Sequence, residues 1–171
     1  VTTKSGYLYI LNRETGEPIY GVEDIEVAAS DVPGEQAATT QPVPVKPTGL
    51  ARVRFDPGDL VTAEDTSAEH AAACAEMVAG LGELYNAGPF TPWVYRAEGA
   101  PPRTTISFPG GVGGANWGGA AFDPATGYVF VATQDLGLLG WMEAAPDESP
   151  VPYVKRAPRP SSFTVRIGDA T

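Results

Sequence analysis

The sequence predicts an all-β fold of the propeller or similar radial kind, with a long loop insertion carrying one short α-helix. Three observations point there. The 171 residues include 20 glycines and 17 prolines, about a fifth of the chain, too dense a punctuation for long helices yet below the ~25–30% that marks low complexity. Aromatic and β-branched runs alternate with turn signals, as in Tyr7-Leu8-Tyr9-Ile10-Leu11 followed by Asn12-Arg13-Glu14-Thr15-Gly16. The turn Asn12-x-x-Thr15-Gly16 returns as Asp123-x-x-Thr126-Gly127 beside a second aromatic strand, and repeated sheet units of this kind suggest a radial assembly.

Hydrophobic residues make up 43% of the chain and charged residues 19%, enough apolar material for a core and too little charge for a disordered chain. The formal net charge of −10 leaves no basic stripe for phosphates, so nucleic acid is not an expected partner. No apolar run approaches the ~18 residues of a membrane-spanning helix. The first residue is Val1, with no basic leader before strand-like sequence, so an internal piece of a longer protein is expected. Cys74 is the single cysteine and His70 the single histidine, which excludes an internal disulfide, a multi-cysteine zinc site and a two-histidine zinc motif.

In chain order, residues 1–20 are expected to form a strand hairpin, with Thr2 to Ile10 as its first strand and Glu17 to Tyr20 resuming after the turn. Residues 21–103 are expected to form the insertion. Pro33, Pro42, Pro44, Pro47 and Pro57 remove backbone donors along it, which predicts an irregular excursion up to Asp59. A capping box at Thr66 and Glu69 opens a helix near 66–85, with Cys74, Met77, Val78, Leu81, Leu84 and Tyr85 as its apolar stripe. Asn86-Ala87-Gly88-Pro89 stops it. Residues 104–135 then give a short strand at Thr104 to Phe108, a Gly-rich loop, and a hairpin pairing Ala120 to Asp123 with Tyr128 to Thr133. Residues 136–171 are expected to be loop, Pro-rich from Pro146 to Pro160.

The Gly-rich stretch holds glycine at six of the ten positions from 110 to 119. It is no phosphate cradle, because no Gly-Lys-Ser/Thr follows, the spacing fails at Asn116, and a strand rather than a helix comes next. Glycines around Asn116-Trp117 permit close backbone approach to a flat group, with an amide and an indole beside it. A Trp packed between sheets at tight turns accounts for the same residues. Lys4, before Ser5-Gly6, offers a cation able to stabilise a developing oxyanion, or is a solvated strand-edge lysine. Asp56, Asp59, Glu64 and Asp65 meet no calcium-loop spacing and suggest a solvated acidic loop. Cys74 is expected to be a buried thiol.

Several segments in order resemble the pyrroloquinoline quinone (PQQ) dependent dehydrogenases. They are Thr3 through Gly16, Thr40-Gln41-Pro42, Phe90-Thr91-Pro92, and Phe108-Pro109-Gly110 running through Asn116-Trp117-Gly118-Gly119 to Asp123-Pro124. The resemblance is closer to the membrane glucose dehydrogenase branch than to the methanol dehydrogenase branch. Tyr20 and Trp93 depart from it, standing where the family commonly has Trp and Pro. It implies an eight-bladed propeller of which this chain is about three blades, with PQQ and Ca²⁺ on the axis. It also implies oxidation of a sugar or alcohol hydroxyl by hydride transfer, and a quinone or cytochrome as onward acceptor. By motif, Lys4 looks like the family's basic residue beside the quinone carbonyls, and Asn116 and Trp117 like a loop pair at the cofactor's rim. The aspartate base and the calcium ligands are expected upstream, so no metal ligand is assigned and the segment alone is expected to be inactive. Periplasmic localisation is expected, with attachment to the inner membrane through a segment outside this one. Two other readings stay open on the residues alone: a non-enzymatic propeller scaffold, and a carbohydrate-binding module using Trp93, Trp117 and Trp141 as sugar platforms.

Overall fold

A computed structural model describes residues 1–158 and, among them, every side chain except that of Trp117. Its strands are β1 (Val22–Glu26), β2 (Thr40–Pro44), β3 (Glu83–Tyr85), β4 (Arg103–Ser107), β5 (Ala115–Asp123), β6 (Tyr128–Thr133), β7 (Leu138–Ala144) and β8 (Tyr153–Arg156), with one helix, α1 (Ala68–Ala79). They form two two-stranded sheets, β1-β2 and β5-β6, and one four-stranded sheet in the order β3-β4-β7-β8. All pairs are antiparallel except β3 with β4. The chain is therefore mostly sheet with one helix, as expected, and each described sheet is open.

The two repeated turns form as their residue types require. Asn12 Oδ1 accepts from the Glu14 and Thr15 amides at 2.8 and 3.2 Å, and Asp123 Oδ1 accepts from the Ala125 amide at 2.9 Å. Each turn closes with the glycine amide on the Asx carbonyl at 2.8 Å. Gly16 and Gly127 hold φ of 78° and 73°, values that favour glycine. Only the Asp123 turn carries the β-hairpin of full strands. Residues 1–20 make no continuous strand but two tight reversals, closed by single bridges at Thr2–Leu8 and Leu11–Pro18. Gly6, at φ 82°, turns the chain back where the aromatic run suggested extension.

The insertion is more regular than the prolines suggest. The Val45 amide donates to Gly21 and the Val27 amide to Thr39 across the β1-β2 pair, so the odd-numbered residues of β2 point their amides at β1. Pro42 and Pro44 stand at the alternate, outward positions of an edge strand, where a missing N–H costs nothing.

Helix α1 is shorter than its apolar pattern. Ser67, not Thr66, is the N-cap, its Oγ accepting from the His70 amide at 3.2 Å, and the helix ends at Gly80 with no buried residue. A Cβ on Gly82, at φ 75°, would stand 2.0 Å from the Pro102 carbonyl oxygen. That close approach turns Leu84 and Tyr85 into β3, beside β4. Cys74 is half-buried rather than buried.

Residues 136–158 are not loop. Leu138–Ala144 pairs with both β4 and β8, and Gly140 makes room for the Arg156 carbonyl oxygen, which would lie 2.7 Å from a Cβ there. Pro146 and Pro152 lie in the connection between the two strands, so the Pro-rich pattern describes the turn and not the strands. The remainder of the expected loop, from 159 on, lies outside the described residues.

The most buried side chains surround β4. Thr104 and Thr105 are fully buried and Val94 is 2% exposed. Thr105 Oγ1 donates to the Pro92 carbonyl and accepts from the Val94 amide, both at 2.9 Å. Thr104 Oγ1 donates to the Leu81 carbonyl at 2.7 Å. Those hydroxyls satisfy backbone groups that β4 itself leaves unpaired.

Candidate functional site

Lys4 rides on a tight turn. The Gly6 amide donates to Thr3 and the Thr3 amide to Tyr7, each at 3.0 Å, and Thr3 Oγ1 is within hydrogen-bond reach of Ser5 Oγ at 2.9 Å. The turn presses against the Gly-rich stretch, with the Gly114 amide donating to the Lys4 carbonyl at 2.9 Å. Only glycines allow this. A Cβ at Gly113, where φ is 97°, would stand 2.9 Å from Lys4 Cβ and Cγ, and one at Gly114 would stand 2.5 Å from Ala51 Cβ. These two glycines therefore seat one loop of the protein upon another.

The remaining five positions of the stretch, Ala115 to Gly119, belong to β5 rather than to a loop. The β5-β6 register shifts between Ala115 and Ala120, and that bulge re-aims the residues between them. Asn116 Nδ2 donates to the Val112 carbonyl at 2.8 Å, which fixes the amide. No heavy atom lies within 4 Å of where a Cβ on Gly118 or Gly119 would be, so that backbone face is open.

Lys4 and Asn116, from distant parts of the chain, line one cleft of about 500 Å³ together with Thr2, Ala115, Gly119 and Ala120. Its lining contains no Asp or Glu, in a chain with 21 acidic residues against 11 basic ones. Trp117 follows Asn116 on β5, and its side chain lies outside the described residues. The cleft suits a flat, anionic cofactor such as PQQ: a cation at one side, a held amide, an open glycine face, and no carboxylate to repel it.

A second, smaller cleft of about 280 Å³ shares Lys4 and is walled by Tyr7, Phe90 and Phe108. Tyr7 is buried, and burial followed by the neighbouring Tyr9 raises its hydroxyl above the usual tyrosine range. Phe90 has a φ of 58°, a conformation that no sequence signal announces for a phenylalanine. The Phe90-Thr91-Pro92 run marks its position by resemblance alone.

Two of the acidic residues named for the loop, Asp59 and Asp65, serve local contacts. Asp59 pairs with Arg52 at 3.2 Å, and Asp65 accepts from the Thr62 amide and hydroxyl at 2.8 Å, which lowers its carboxyl below the usual range. Among the described residues no group of three or more His, Cys, Asp or Glu could hold a metal ion. Two of the three indoles offered as sugar platforms, Trp93 and Trp141, are already engaged. The Arg96 guanidinium lies 3.6 Å from the Trp141 ring centre and the Lys155 ammonium 3.9 Å from that of Trp93.

Comparison with known proteins identifies the family. A family model described as "PQQ: Glucose/ethanol/alcohol dehydrogenase, beta-propeller domain" matches residues 1–166. The chain is 32% identical over 151 residues to a probable quinate dehydrogenase (quinone) of Xanthomonas campestris pv. juglandis, covering 87% of this chain and 17% of that protein. It is 32% identical over 145 residues to the quinate/shikimate dehydrogenase (quinone) of Acinetobacter baylyi, covering 84% and 16%. Against a glycerol dehydrogenase large subunit of Gluconobacter oxydans it is 29% identical over 129 residues, covering 73% and 15%. The chain thus spans about a sixth of the length of these relatives. No solved structure matches it. With a family model covering nearly its whole length and an acid-free cleft built from its resembling segments, the chain belongs to the β-propeller domain family of PQQ-dependent dehydrogenases.

Proposed function

We propose that the protein containing this chain oxidises the hydroxyl-bearing carbon of a small sugar, alcohol or polyol, with PQQ held in the larger cleft. Quinate, shikimate and glycerol, named for the relatives, define the range of candidates beside glucose-like sugars. The observation that carries this reading is the meeting of Lys4 and Asn116 at one cleft without a carboxylate in its lining.

PQQ, when bound, supplies the two-electron acceptor for the substrate's CH–OH group. Lys4 supplies a positive charge. Its backbone is tied to Gly114 at 2.9 Å, which sets where the side chain leaves the chain, and its ammonium would stabilise negative charge developing opposite it. The side chain of Asn116, anchored on the Val112 carbonyl, lines the same cleft as Lys4, and the family resemblance assigns it, with Trp117, a place at the cofactor's rim. The open faces of Gly118 and Gly119 admit a flat ring.

The remaining parts extend the proposal to the whole protein. The described sheets are pieces of an eight-bladed propeller, about three blades in this chain, supported by the repeated hairpin turn. The aspartate base and the ligands of a calcium ion come from elsewhere in that propeller. Electrons pass on to a quinone or a cytochrome in the periplasm, at or near the inner membrane. No helix among the described residues is long and apolar enough to cross a membrane.

The test is dye reduction by the full-length protein with glucose, glycerol, quinate and simple alcohols, with and without PQQ and Ca²⁺. Turnover that needs both additions supports the proposal and names the substrate. Turnover indifferent to PQQ, or none with PQQ bound across the panel, contradicts it.

A further inference from the structure

We propose that Ala51 and Asp135 are positioning residues of the larger cleft, an inference that rests on PQQ being held there. The Ala51 methyl sets the spacing between the turn that carries Lys4 and the glycine backbone that leads into Asn116. The Asp135 carboxylate keeps that methyl in place. Neither residue lines the cleft, so both act through the residues that do.

The Lys4 turn meets the glycine stretch through the bond from the Gly114 amide to the Lys4 carbonyl. One bond leaves two segments free to pivot about it. A third segment, from the insertion, removes that freedom. The Leu50 amide donates to the Gly6 carbonyl at 2.7 Å, and the next residue, Ala51, lies against both partners. A Cβ added to Gly6 would stand 3.0 Å from Ala51 Cβ, and one added to Gly114 would stand 2.5 Å from it. Gly6 and Gly114 are both buried, so the methyl touches close-packed backbone on two sides. A change of one or two carbons at position 51 is therefore felt as a change in the spacing of the two loops.

A fourth segment closes the arrangement. The Arg52 amide donates to Asp135 Oδ1 at 2.7 Å, across 83 positions of sequence. The neighbouring Gln134 amide donates to the Gly114 carbonyl at 2.8 Å. Hydrogen bonds thus run in a ring, from Lys4 to Gly114, Gly114 to Gln134, Asp135 to Arg52, and Leu50 to Gly6. Of these, only the Asp135 bond depends on a side chain. Asp135 is exposed, so removing its carboxylate opens the ring locally, leaves the Arg52 amide to water and costs little in global stability.

The experiment compares the full-length protein with Asp135→Ala, Asp135→Asn, Ala51→Val and Asp59→Ala. Two quantities are read on each: amide hydrogen exchange without PQQ, and the dissociation constant for added PQQ followed by absorbance. In Asp135→Ala, exchange in residues 2–8 and 112–116 should accelerate at an unchanged melting temperature, and PQQ affinity should fall about fivefold. Asp135→Asn keeps an acceptor oxygen and should restore both. Ala51→Val should weaken PQQ by about tenfold, and Ala51→Gly, which loosens the contact instead, serves where that variant does not fold. Asp59→Ala removes the ion pair to the Arg52 side chain but spares the Arg52 amide, so both quantities should stay at the parent's values.

Exchange in the two segments unmoved by Asp135→Ala overturns the positioning role, as does acceleration spread evenly over the chain. PQQ affinity unmoved while exchange accelerates overturns it too. If the parent itself binds no PQQ while exchange still accelerates in Asp135→Ala, the cofactor reading falls, and the placing of Lys4 on the glycine stretch by Ala51 and Asp135 stands.

Discussion

The side chain of Lys4 rests on Gly113, so closely that a Cβ on the glycine would stand 2.9 Å from Lys4 Cβ and Cγ. Gly113 thus acts on the lysine rather than on a ligand, and with Gly114 against Ala51 it joins segments far apart in sequence. The same contact makes Lys4 the common wall of both clefts.

Gly113→Ala should therefore destabilise the full-length protein by ~1–3 kcal/mol, through overpacking and the positive φ together, and should weaken PQQ binding in parallel. Gly127→Ala is the control. Its φ is 73° but its Cβ would meet nothing within 4 Å, so it carries the backbone strain without moving Lys4 or entering its clefts. Denaturant unfolding and PQQ titration of both variants separate the two effects.

Thr105→Val should cost ~2–3 kcal/mol in the same unfolding assay, because it leaves the buried Val94 amide and Pro92 carbonyl without their shared hydroxyl. Valine matches the shape of threonine, so a loss well under 1 kcal/mol would mean that the strand closes the gap with other partners.

Asp123 predicts an acid-side dependence of stability. The Thr126 hydroxyl and then the Ala125 amide, both donating to its carboxylate, hold its carboxyl below the usual range. The folded state therefore binds the proton less readily than the unfolded one, so the contribution is present above the ordinary carboxylate pKa and fades as pH falls through the folded value. Asp123→Asn should keep the turn, as Asn12 does in the other one, and flatten this part of the melting temperature profile below about pH 4. An unchanged profile would exclude this carboxylate as a contributor.

These residues also show how far sequence reaches. Asx-x-x-Thr-Gly encodes its turn locally, since the side chain bonds amides two and three positions on, and both copies form. The β5-β6 hairpin follows for the same reason. Strand β2 is masked because Pro42 and Pro44 read as breaks until the pairing with β1 shows which backbone edge is free, and β7 and β8 are masked by the prolines of the turn between them. The apolar stripe through Leu84 and Tyr85 has helical spacing, yet the contact of Gly82 with Pro102 turns them into strand. At the site, residue types alone left Lys4 and Asn116 with bland alternatives. Resemblance joined them, and the structure places both at one cleft. Phe90 was legible only as part of a motif, because its backbone conformation is imposed by Asn86 and Thr91 and not by its own identity.

The β5-β6 hairpin predicts the behaviour of the chain by itself. Phe122, Tyr128, Val129 and Phe130 are 50–66% exposed, and an apolar hairpin with free edges invites association. Residues 1–171 expressed alone should elute as aggregates in size-exclusion chromatography, relieved by Phe122→Ser with Phe130→Lys. A monomer with a cooperative melting transition would contradict the view that these strands are covered by further blades.

The most direct test of the account is PQQ titration of the full-length protein against its Lys4→Ala variant, followed by absorbance. The account predicts saturable binding to the parent and an affinity at least tenfold weaker in the variant, with Lys4→Arg between them. Equal affinities in parent and variant, at equal melting temperature, would remove Lys4 from the cofactor site and with it the role assigned to the larger cleft.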